Sequence, residues 1–236
     1  MNSYFLNLLL LMCLNLAACK QADPEPAILT PADESSTTKT YLALGDSYTI
    51  GQSVPEADQW GRQLVGLLRA EGVEVSDPVT IARTGWTTSE LAAAIKSADL
   101  KATFDLVTLL IGVNNQYRGQ SLANYRTEFN ELLQTSIRLA KRNPQHVLVL
   151  SIPDWGATPY GRGQNRQQIT AEIDAFNAAA KDLSEQAGVT FINITPLTRE
   201  AVSDLTYVAS DGLHYSGKMH REWALRALPK AKEILK

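Results

Sequence analysis

Two short motifs in this sequence hold the residue types that can activate a hydroxyl group for attack on a carbonyl carbon. A Gly-Asp-Ser sequence places Ser47 directly after an apolar run, and an Asp-x-x-His sequence places Asp211 three residues before His214. A carboxylate at that spacing can accept the Nδ1–H proton of the imidazole, which leaves Nε2 free to take a proton from a serine. The three residues therefore predict acyl transfer at Ser47, although each motif alone also occurs in ordinary turns.

Two further residues could donate hydrogen bonds to the negative oxygen that such an attack creates. Gly85 and Asn114 come shortly after the second and third apolar runs of the chain. A glycine leaves its backbone N–H open to a ligand because no side chain stands in the way. The side-chain amide of an asparagine can point at the same place. Taken singly, both residues are more typical of turns and loops.

The elements that must position these residues are short apolar runs that alternate with amphipathic segments. Each run is bounded by Gly, Pro, Asn or Asp, and most of them lack a period of two, which is typical of strands covered on both faces. The runs occupy residues 41–44, 79–82, 106–112, 147–152 and 189–194. Five strands are therefore predicted.

Helices are predicted between and after these runs. Apolar residues at helical spacing begin at Trp60 and end at Gly72, and a capping box at residues 87–90 opens a second helix. The other helices are predicted at residues 122–137, 167–186 and 216–235. This alternation implies a three-layer α/β/α sandwich with a mostly parallel five-stranded sheet. Ligands bind such sheets at the carboxyl ends of the strands, which is where Ser47 and Asn114 lie in the sequence.

The order of Ser, Gly, Asn and Asp-x-x-His at successive strand ends resembles the SGNH hydrolase superfamily, also called GDSL esterases and lipases. The resemblance covers the chain from residue 41 to the last helix. Tyr48 stands where the family's short name has Leu, and Tyr215 stands where many members have Pro. The resemblance implies a flavodoxin-like SGNH hydrolase fold and a carboxylic ester hydrolase that needs no metal and no cofactor.

The resemblance also implies a role for each matching residue. Ser47 would be the nucleophile that forms an acyl-enzyme, His214 the general base and then acid, and Asp211 the residue that orients the imidazole. The backbone N–H groups of Ser47 and Gly85 and the side-chain amide of Asn114 would form the oxyanion hole. The loss of one such donor commonly lowers the rate by about 10²–10³.

Apolar side chains near the predicted site favour small or lipid acyl esters, and hence an esterase or lysophospholipase-like enzyme. These side chains are Tyr48, Ile50, Trp86 and Tyr117. Residues 153–166 contain three glycines and two aromatic residues. We expect this segment to be a flexible loop at the same edge of the sheet, as a lid or as the wall of an acyl-chain pocket.

Polar residues beside the same positions leave other functions open. Arg83, Asn115, Gln116 and Arg118 would suit a sugar, and hence a carbohydrate O-acetylesterase. An acyltransferase would use the same acyl-enzyme, since the sequence does not define whether water or an alcohol attacks it. A non-catalytic lipoprotein that binds envelope components is a less favoured alternative, because the chain keeps every motif residue.

The remaining titratable residues near these motifs are expected to be structural. Asp46 is interpreted as a turn carboxylate, and Asp154 has no assigned chemical role. His146 precedes the fourth strand on the side of the sheet away from the site. His220 lies six residues beyond His214 in the last predicted helix, which is poor spacing for a shared metal ion.

The first 39 residues differ in composition from the rest of the chain. Residues 1–18 are uncharged and rich in Leu and predict a lipoprotein signal peptide, because their last three residues and Cys19 form a Leu-Ala-Ala-Cys sequence that resembles a lipobox. Cys19 would carry the lipid. Residues 19–39 would form a flexible tether to a hydrolase domain at residues 40–236. We expect a lipid-anchored protein of the cell envelope, at the outer membrane and facing the periplasm or the cell surface.

Composition excludes several other classes of protein. The chain has 236 residues, of which 44% are hydrophobic and 20% charged, with a formal net charge of −3. These values are typical of one globular domain and give no basic surface for nucleic acid. Both cysteines, Cys13 and Cys19, lie in the predicted signal segment and anchor, so no disulfide is expected in the domain. We expect a monomer that acts on a small-molecule, lipid or sugar ester.

Overall fold

The computed structural model describes residues 38–236, and its five named strands form one parallel sheet. The strands are β1 (Tyr41–Gly45), β2 (Val79–Ala82), β3 (Leu106–Leu110), β4 (Val147–Leu150) and β5 (Thr190–Ile192). Their order across the sheet is β2-β1-β3-β4-β5. The three central strands are buried along their whole length, whereas β2 and β5 form the edges and are partly exposed.

Helices cover both faces of this sheet. They are α1 (Ser47–Ile50), α2 (Trp60–Ala70), α3 (Thr88–Ala98), α4 (Val113–Tyr117), α5 (Leu122–Leu139), α6 (Arg166–Gln186), α7 (Thr195–Thr198) and α8 (Gly217–Leu235). Helices α2 and α8 pack against each other as one layer, and α3, α5 and α6 form the other. The predicted α/β/α sandwich is therefore confirmed. Within residues 38–236, no helix has the length and apolar character needed to cross a membrane.

The helix ends follow the signals in the sequence. At the start of α3, the backbone N–H of Thr87 donates to the Glu90 carboxylate at 2.8 Å, as the capping box predicts. Helix α6 begins at Arg166, one residue before the prediction, because the side chain of Asn165 accepts the N–H of Gln168 and caps the helix there.

Three strands are shorter than their apolar runs. The third run was predicted to extend to residue 112 and the fourth to residue 152, but β3 ends at Leu110 and β4 at Leu150. The fifth run was predicted at residues 189–194, but β5 covers only Thr190–Ile192. Ile111 and Ile152 are buried beyond the strand ends. The N–H of Ile152 donates to the side chain of Asn177 at 2.7 Å instead of joining the sheet. Because these residues are buried although they lie outside the sheet, they are apolar, and the apolar run extends beyond the end of the strand.

The amino-terminal limit of the described chain is already part of the fold. Lys39, the last residue of the predicted tether, forms a parallel bridge with Val75 ahead of β1. Its N–H donates to the carbonyl of Glu74 at 2.8 Å, and its carbonyl accepts the N–H of Ser76 at 2.8 Å. The predicted signal peptide, Cys19 and most of the tether lie outside the described residues.

The turn that leaves β1 has no room for a side chain at its first position. Gly45 pairs with Leu110 of β3 and precedes the short helix α1. A Cβ atom at residue 45 would overlap both the hydroxyl of Thr49 and the carbonyl oxygen of Leu110. Glycine is therefore required here for close backbone approach, and not for a left-handed conformation.

We expect Gly45→Ala to lower the free energy of unfolding by at least about 2 kcal/mol, because the added methyl group must displace backbone atoms of β3. Gly66→Ala is the matched control. Gly66 lies inside α2, and nothing lies within 4 Å of a Cβ atom placed there. That substitution should raise the stability by about 0.5–1 kcal/mol. Urea unfolding of both variants checks the prediction, which fails if the two free energies change alike.

Candidate active site

Ser47 lies at the point where β1 passes into α1. It is the first residue of the helix, and the side chain of Asp46 caps the helix by accepting the N–H of Tyr48 at 3.0 Å. Ser47 is 5% exposed. Within residues 38–236, its backbone N–H has no acceptor. The turn thus presents a hydroxyl and a free N–H at the carboxyl edge of the sheet.

The Asp211–His214 pair forms as the sequence predicts. Oδ2 of Asp211 lies 2.6 Å from Nδ1 of His214. The other carboxylate oxygen, Oδ1, accepts the backbone N–H groups of Leu213 and His214, each at 2.9 Å. When Nδ1 carries the proton, Nε2 is left as a proton acceptor. The loop that holds the pair is closed by an antiparallel bridge between Val208 and Tyr215.

Ser53 is a partner of Asp211 that the sequence analysis missed. Its hydroxyl donates to Oδ2 of Asp211 at 2.7 Å, across 158 positions of sequence. Ser53 has a φ of 63°, in the left-handed region that a non-glycine residue seldom adopts. A strained backbone that aims a hydroxyl at a neighbouring side chain is typical of functional sites. No local sequence signal distinguishes this serine from others in the chain.

The electrostatic state of Asp211 follows from these contacts. Partial burial opposes ionisation, but the hydrogen bonds from Ser53, from the His214 ring and from the N–H groups of Leu213 and His214 outweigh it. They hold the pKa of the Asp211 carboxyl well below its ordinary value. Asp211 is therefore a carboxylate at any pH near neutrality, which allows it to stabilise a positive charge on the His214 ring.

Gly85 and Asn114 are brought together at the opposite side of the site. The side-chain amide of Asn114 donates to the carbonyl of Trp86 at 3.0 Å, which leaves its second N–H unused by that bond. Gly85 has a φ of 86° and precedes this carbonyl in the chain. In the described residues, nothing accepts the backbone N–H of Gly85. The two predicted donors thus belong to one hydrogen-bonded unit.

Buried polar contacts fix this unit. Asn115 is completely buried, and its amide oxygen accepts the N–H of Thr88 while its nitrogen donates to the hydroxyl of Thr88 at 2.6 Å. Arg118 donates to the carbonyl of Gly85 at 2.5 Å. These bonds join α4 to the start of α3. Because buried amides must be hydrogen-bonded, the relative position of the two elements is well defined.

The same contacts bear on two of the four residues that were expected to suit a sugar. Arg83, Asn115, Gln116 and Arg118 were expected to suit a sugar. Asn115 and Gln116 are buried and bonded within the fold, and Arg118 is held by Gly85 and Glu90. Asn115 and Gln116 are occupied by protein groups, and their polarity serves to join elements around the site. Arg83 and Arg118 are exposed, so for these two residues the expectation stays a prediction.

A cavity of about 160 Å³ lies over Ser47. Its walls are formed by Ser47, Tyr48, Val113, Asn114, Tyr117, Trp155, Tyr160, Leu213 and His214. Three predicted site residues, Ser47, Asn114 and His214, thus face one space. Asp211 bonds to His214 but does not line the cavity itself, and Gly85 does not line it either. Of the apolar residues expected here, Tyr48 and Tyr117 line the cavity, but Ile50 and Trp86 do not.

Residues 153–158, the first part of the segment that was expected to be a flexible loop, are buried and packed, whereas residues 162–166 are exposed. Trp155 is 6% exposed, and Asp154 is completely buried. The carboxylate of Asp154 accepts Nε of Arg199 at 2.9 Å and the hydroxyl of Thr170 at 2.8 Å. Gly156 and Gly161 serve close packing, since a Cβ atom at Gly161 would meet the backbone of Gly156 at 2.8 Å.

Tyr215 connects this segment to the histidine loop. Its hydroxyl donates to the carbonyl of Asp154 at 2.7 Å, and the ring is completely buried. Because Tyr215 follows His214 directly, the bond restrains the backbone that carries the imidazole. A proline at this position could not make it. Asp154, which had no role in the sequence analysis, therefore supports the site from a distance.

His220 is a structural residue. Its Nδ1 accepts the backbone N–H of Trp60 at 3.1 Å, and its ring stacks on Trp223 with centroids 4.6 Å apart. Complete burial lowers the pKa of His220 to about 3, so the ring is neutral. His146 lies before β4, on the amino side of the sheet away from Ser47. Neither histidine lines the cavity.

The sequence profile of one protein family, described as the GDSL-like lipase/acylhydrolase family, matches residues 43–222. The chain belongs to this family. The match covers well over half of the chain and includes every motif residue, so the resemblance drawn from the motifs is confirmed. As a GDSL-like acylhydrolase, the protein is a carboxylic ester hydrolase.

Solved structures share the fold of this GDSL-like acylhydrolase at low sequence identity. A lipase/acylhydrolase from Enterococcus faecalis is 21% identical, with a TM-score of 0.66 over 84% of this chain and 98% of that chain. An acetylxylan esterase from Geobacillus stearothermophilus is 19% identical, with a TM-score of 0.63 over 82% and 94%. A protein named TesA is 19% identical, with a TM-score of 0.66 over 84% and 100%. No curated protein sequence matches significantly.

Asp46 of this acylhydrolase is a buried carboxylate with half of its hydrogen-bonding capacity unused. It is 0% exposed, and within residues 38–236 no group bonds to its Oδ2. Burial raises the pKa of Asp46 to about 7, against the lowering effect of the bond from Tyr48. The carboxyl group is thus more easily protonated in the folded chain than in the unfolded one.

The stability that Asp46 contributes should depend on pH. It is fully present below the unfolded pKa of about 3.9 and is lost as pH rises through the folded value of about 7. We compare wild type with Asp46→Asn, which keeps the acceptor for Tyr48 and cannot ionise. The unfolding free energy of wild type relative to the variant should fall by up to about 4 kcal/mol between about pH 4 and pH 8. A pH-independent difference would contradict the raised pKa.

Proposed function

We propose that this acylhydrolase cleaves carboxylic acyl esters through an acyl-enzyme on Ser47. The observation that carries the proposal is the 2.6 Å contact between Asp211 and His214 at a cavity that Ser47 also lines. A serine, a neutral imidazole and an ionised carboxylate in this order are the groups that acyl transfer needs.

In the first step, Oγ of Ser47 attacks the carbonyl carbon of the ester, and its proton passes to Nε2 of His214. The ring becomes an imidazolium, whose charge Asp211 stabilises through Nδ1–H. Ser53 holds the Asp211 carboxylate in place by donating to the same oxygen that faces the ring. An orienting carboxylate restrained in this way keeps the imidazole in one tautomer.

The carbonyl oxygen becomes an oxyanion that needs donors already in position. The free N–H groups of Ser47 and Gly85 and the second amide N–H of Asn114 would supply three hydrogen bonds. The bond from Asn114 to the carbonyl of Trp86 supports this role, because it orients the amide before the substrate arrives. Donors that need no reorganisation make the largest contributions to such reactions.

Collapse of this intermediate breaks the bond to the alcohol oxygen, which takes its proton from His214. The acyl group is then an ester of Ser47. Water attacks that ester, gives its proton to His214 and passes through a second oxyanion, after which the acid leaves and Ser47 regains its proton. An alcohol in place of water would give acyl transfer by the same steps, so added alcohols would reveal an acyltransferase through its products.

A carbohydrate O-acetylester is a second candidate substrate beside the simple and lysophospholipid-like esters. The likeness to an acetylxylan esterase favours it. Both candidates use the same acyl-enzyme and differ only in the alcohol that leaves. A non-catalytic, envelope-binding function is less favoured, because Ser47, Asn114 and His214 line one cavity and Asp211 bonds to His214.

We also propose that a lipid on Cys19 anchors the protein in the cell envelope, at the outer membrane. The support is the uncharged Leu-rich segment that ends in Leu-Ala-Ala-Cys, followed by a stretch rich in proline and charge. More than one acyl chain on the cysteine gives stable attachment, whereas a single chain binds only marginally.

Ser47→Ala should reduce hydrolysis of p-nitrophenyl acetate at least about 10³-fold, because the nucleophile is gone while the fold is kept. Ser97→Ala removes an exposed serine of α3 and serves as the control, with unchanged turnover. Mass spectrometry of the acid-quenched wild-type reaction should find one acetyl group on the peptide that contains Ser47. Full activity in Ser47→Ala, with equal melting temperatures, would disprove the acyl-enzyme.

Cys19→Ser should move the full-length protein from the membrane fraction to the soluble fraction, because serine cannot form the thioether to the lipid. Cys13→Ser changes the other cysteine of the chain, inside the predicted signal peptide, and should leave the protein in the membrane fraction. Fractionation of the producing cells with an antibody to the domain measures both. Membrane association of Cys19→Ser equal to wild type would overturn the anchor.

A further inference from the structure

Three aromatic side chains form one wall of the cavity over Ser47. The ring of Trp155 lies 5.3 Å from the ring of Tyr117 and 6.0 Å from that of Tyr160, measured between centroids. Both pairs have the edge-to-face geometry that aromatic rings prefer. The hydroxyl groups of the two tyrosines are hydrogen-bonded to each other at 2.6 Å. The wall is therefore continuous from one tyrosine to the other.

The inner part of this wall is rigid. Trp155 is buried, and its Nε1–H donates to the amide oxygen of Gln116 at 2.8 Å. The amide nitrogen of Gln116 in turn donates to the carboxylate of Glu172 on α6 at 2.7 Å. Both ends of the Gln116 side chain are thus fixed. The position of the indole is set by two helices, α4 and α6.

The outer part of the wall is exposed to water. Tyr117 and Tyr160 are 52% and 44% exposed, the two largest exposed aromatic surfaces in residues 38–236. Their mutual hydrogen bond competes with bonds to water, so it contributes little to stability. Large apolar side chains left in solvent beside a cavity are typical of a ligand site. The structure therefore combines a fixed inner wall with an outer bridge that can be opened.

The bridge spans the site from the Asn114 side to the His214 side. Tyr117 lies three residues after Asn114, so both occupy one turn of α4. The backbone N–H of Tyr160 donates to the carbonyl of Gly212 in the histidine loop at 2.9 Å. An acyl group on Ser47 that extends toward this wall has to fit within the bridge or cross it.

The space inside the boundary is small. The cavity of about 160 Å³ is close to the roughly 150 Å³ in which a single benzene molecule binds. It accommodates an acyl group of about six carbon atoms or fewer. A fatty acyl chain of twice that length that extends along the aromatic wall would have to displace the hydroxyl bridge.

We propose that Tyr117, Trp155 and Tyr160 form an acyl-length barrier that makes this protein selective for short-chain acyl esters. This inference rests on the acyl-enzyme at Ser47 proposed above and names its substrate class. Tyr160 is the residue that decides the length, because its ring closes the outer part of the wall. Trp155 and Tyr117 hold that ring in place.

The test uses p-nitrophenyl esters, which share one leaving group, with acetyl, butyryl, hexanoyl, octanoyl and lauroyl groups. Wild type should have the highest kcat/KM for acetate or butyrate and a value at least about tenfold lower for octanoate. Tyr160→Ala should raise the octanoate-to-acetate ratio of kcat/KM by about tenfold or more. Tyr160→Phe keeps the ring and removes the hydrogen bond, and it should shift the ratio in the same direction by a smaller factor.

Leu225→Ala is the control, because Leu225 is an exposed apolar residue of α8 and lines no part of the cavity. Its chain-length profile should equal that of wild type. Melting temperatures establish whether each variant is folded. If Tyr160→Ala is not folded, the chain-length profile of Tyr160→Phe decides the test.

Two results overturn the barrier while leaving the acyl-enzyme intact: equal wild-type rates for acetate and laurate, or Tyr160 variants with the wild-type ratio. A changed preference for the alcohol, measured with acetyl esters of different alcohols, without a changed preference for acyl length, would also overturn it. Failure of the acyl-enzyme has a different signature, since every ester would then be hydrolysed equally by wild type and Ser47→Ala.

Discussion

The parallel pairing of β1 with β3 is the constraint on which the site depends. Gly45 pairs with Leu110, so the two strands end at the same level of the sheet. The residues that follow them, Ser47 and Asn114, are thereby brought to one edge of the sheet, although 67 positions separate them in the chain. The absence of a side chain at residue 45 permits this close approach. In a sheet with another strand order, the same residues would follow strands that are not neighbours, and they would lie apart.

Around this edge, three of the residues in the proposed mechanism are each restrained by a hydrogen bond to a group outside that mechanism. Asn114 is oriented by the carbonyl of Trp86, Asp211 by the hydroxyl of Ser53, and the backbone beside His214 by the hydroxyl of Tyr215. These bonds are made inside the protein before any substrate is present. Preorganisation of this kind allows a small domain to stabilise a transient charge without rearranging.

Local chemistry made much of this arrangement predictable from the sequence. The five apolar runs located all five strands, and the spacing of Asp211 and His214 was sufficient to pair them. Long-range contacts were not predictable in the same way. Ser53 and Asp211 are joined across 158 positions, and the left-handed backbone of Ser53 has no signature in a single sequence.

The burial of polar side chains was also not predictable from the sequence. Asn115 and Gln116 were interpreted as possible sugar contacts, because polar side chains after a strand end usually face a ligand or solvent. In the structure they bond to Thr88 and Trp155 instead. Strand ends were overestimated for the converse reason, since Ile111 and Ile152 remain apolar outside the sheet. A run of apolar residues indicates that a segment is buried. It does not show whether the segment is buried within a strand or beyond the end of one.

The bridge of Lys39 with Val75 fixes where the chain enters the domain. It lies ahead of the first residue of β1, whereas Ser47 follows the last, so the entry point and the cavity are at opposite edges of the sheet. The strand between them is about 17 Å long. A tether that joins the domain at this point would reach it from the edge opposite Ser47, so the anchoring chain would not have to pass over the mouth of the cavity. The domain could then turn on a flexible tether and meet esters in the aqueous compartment or at a membrane surface without that chain standing between them.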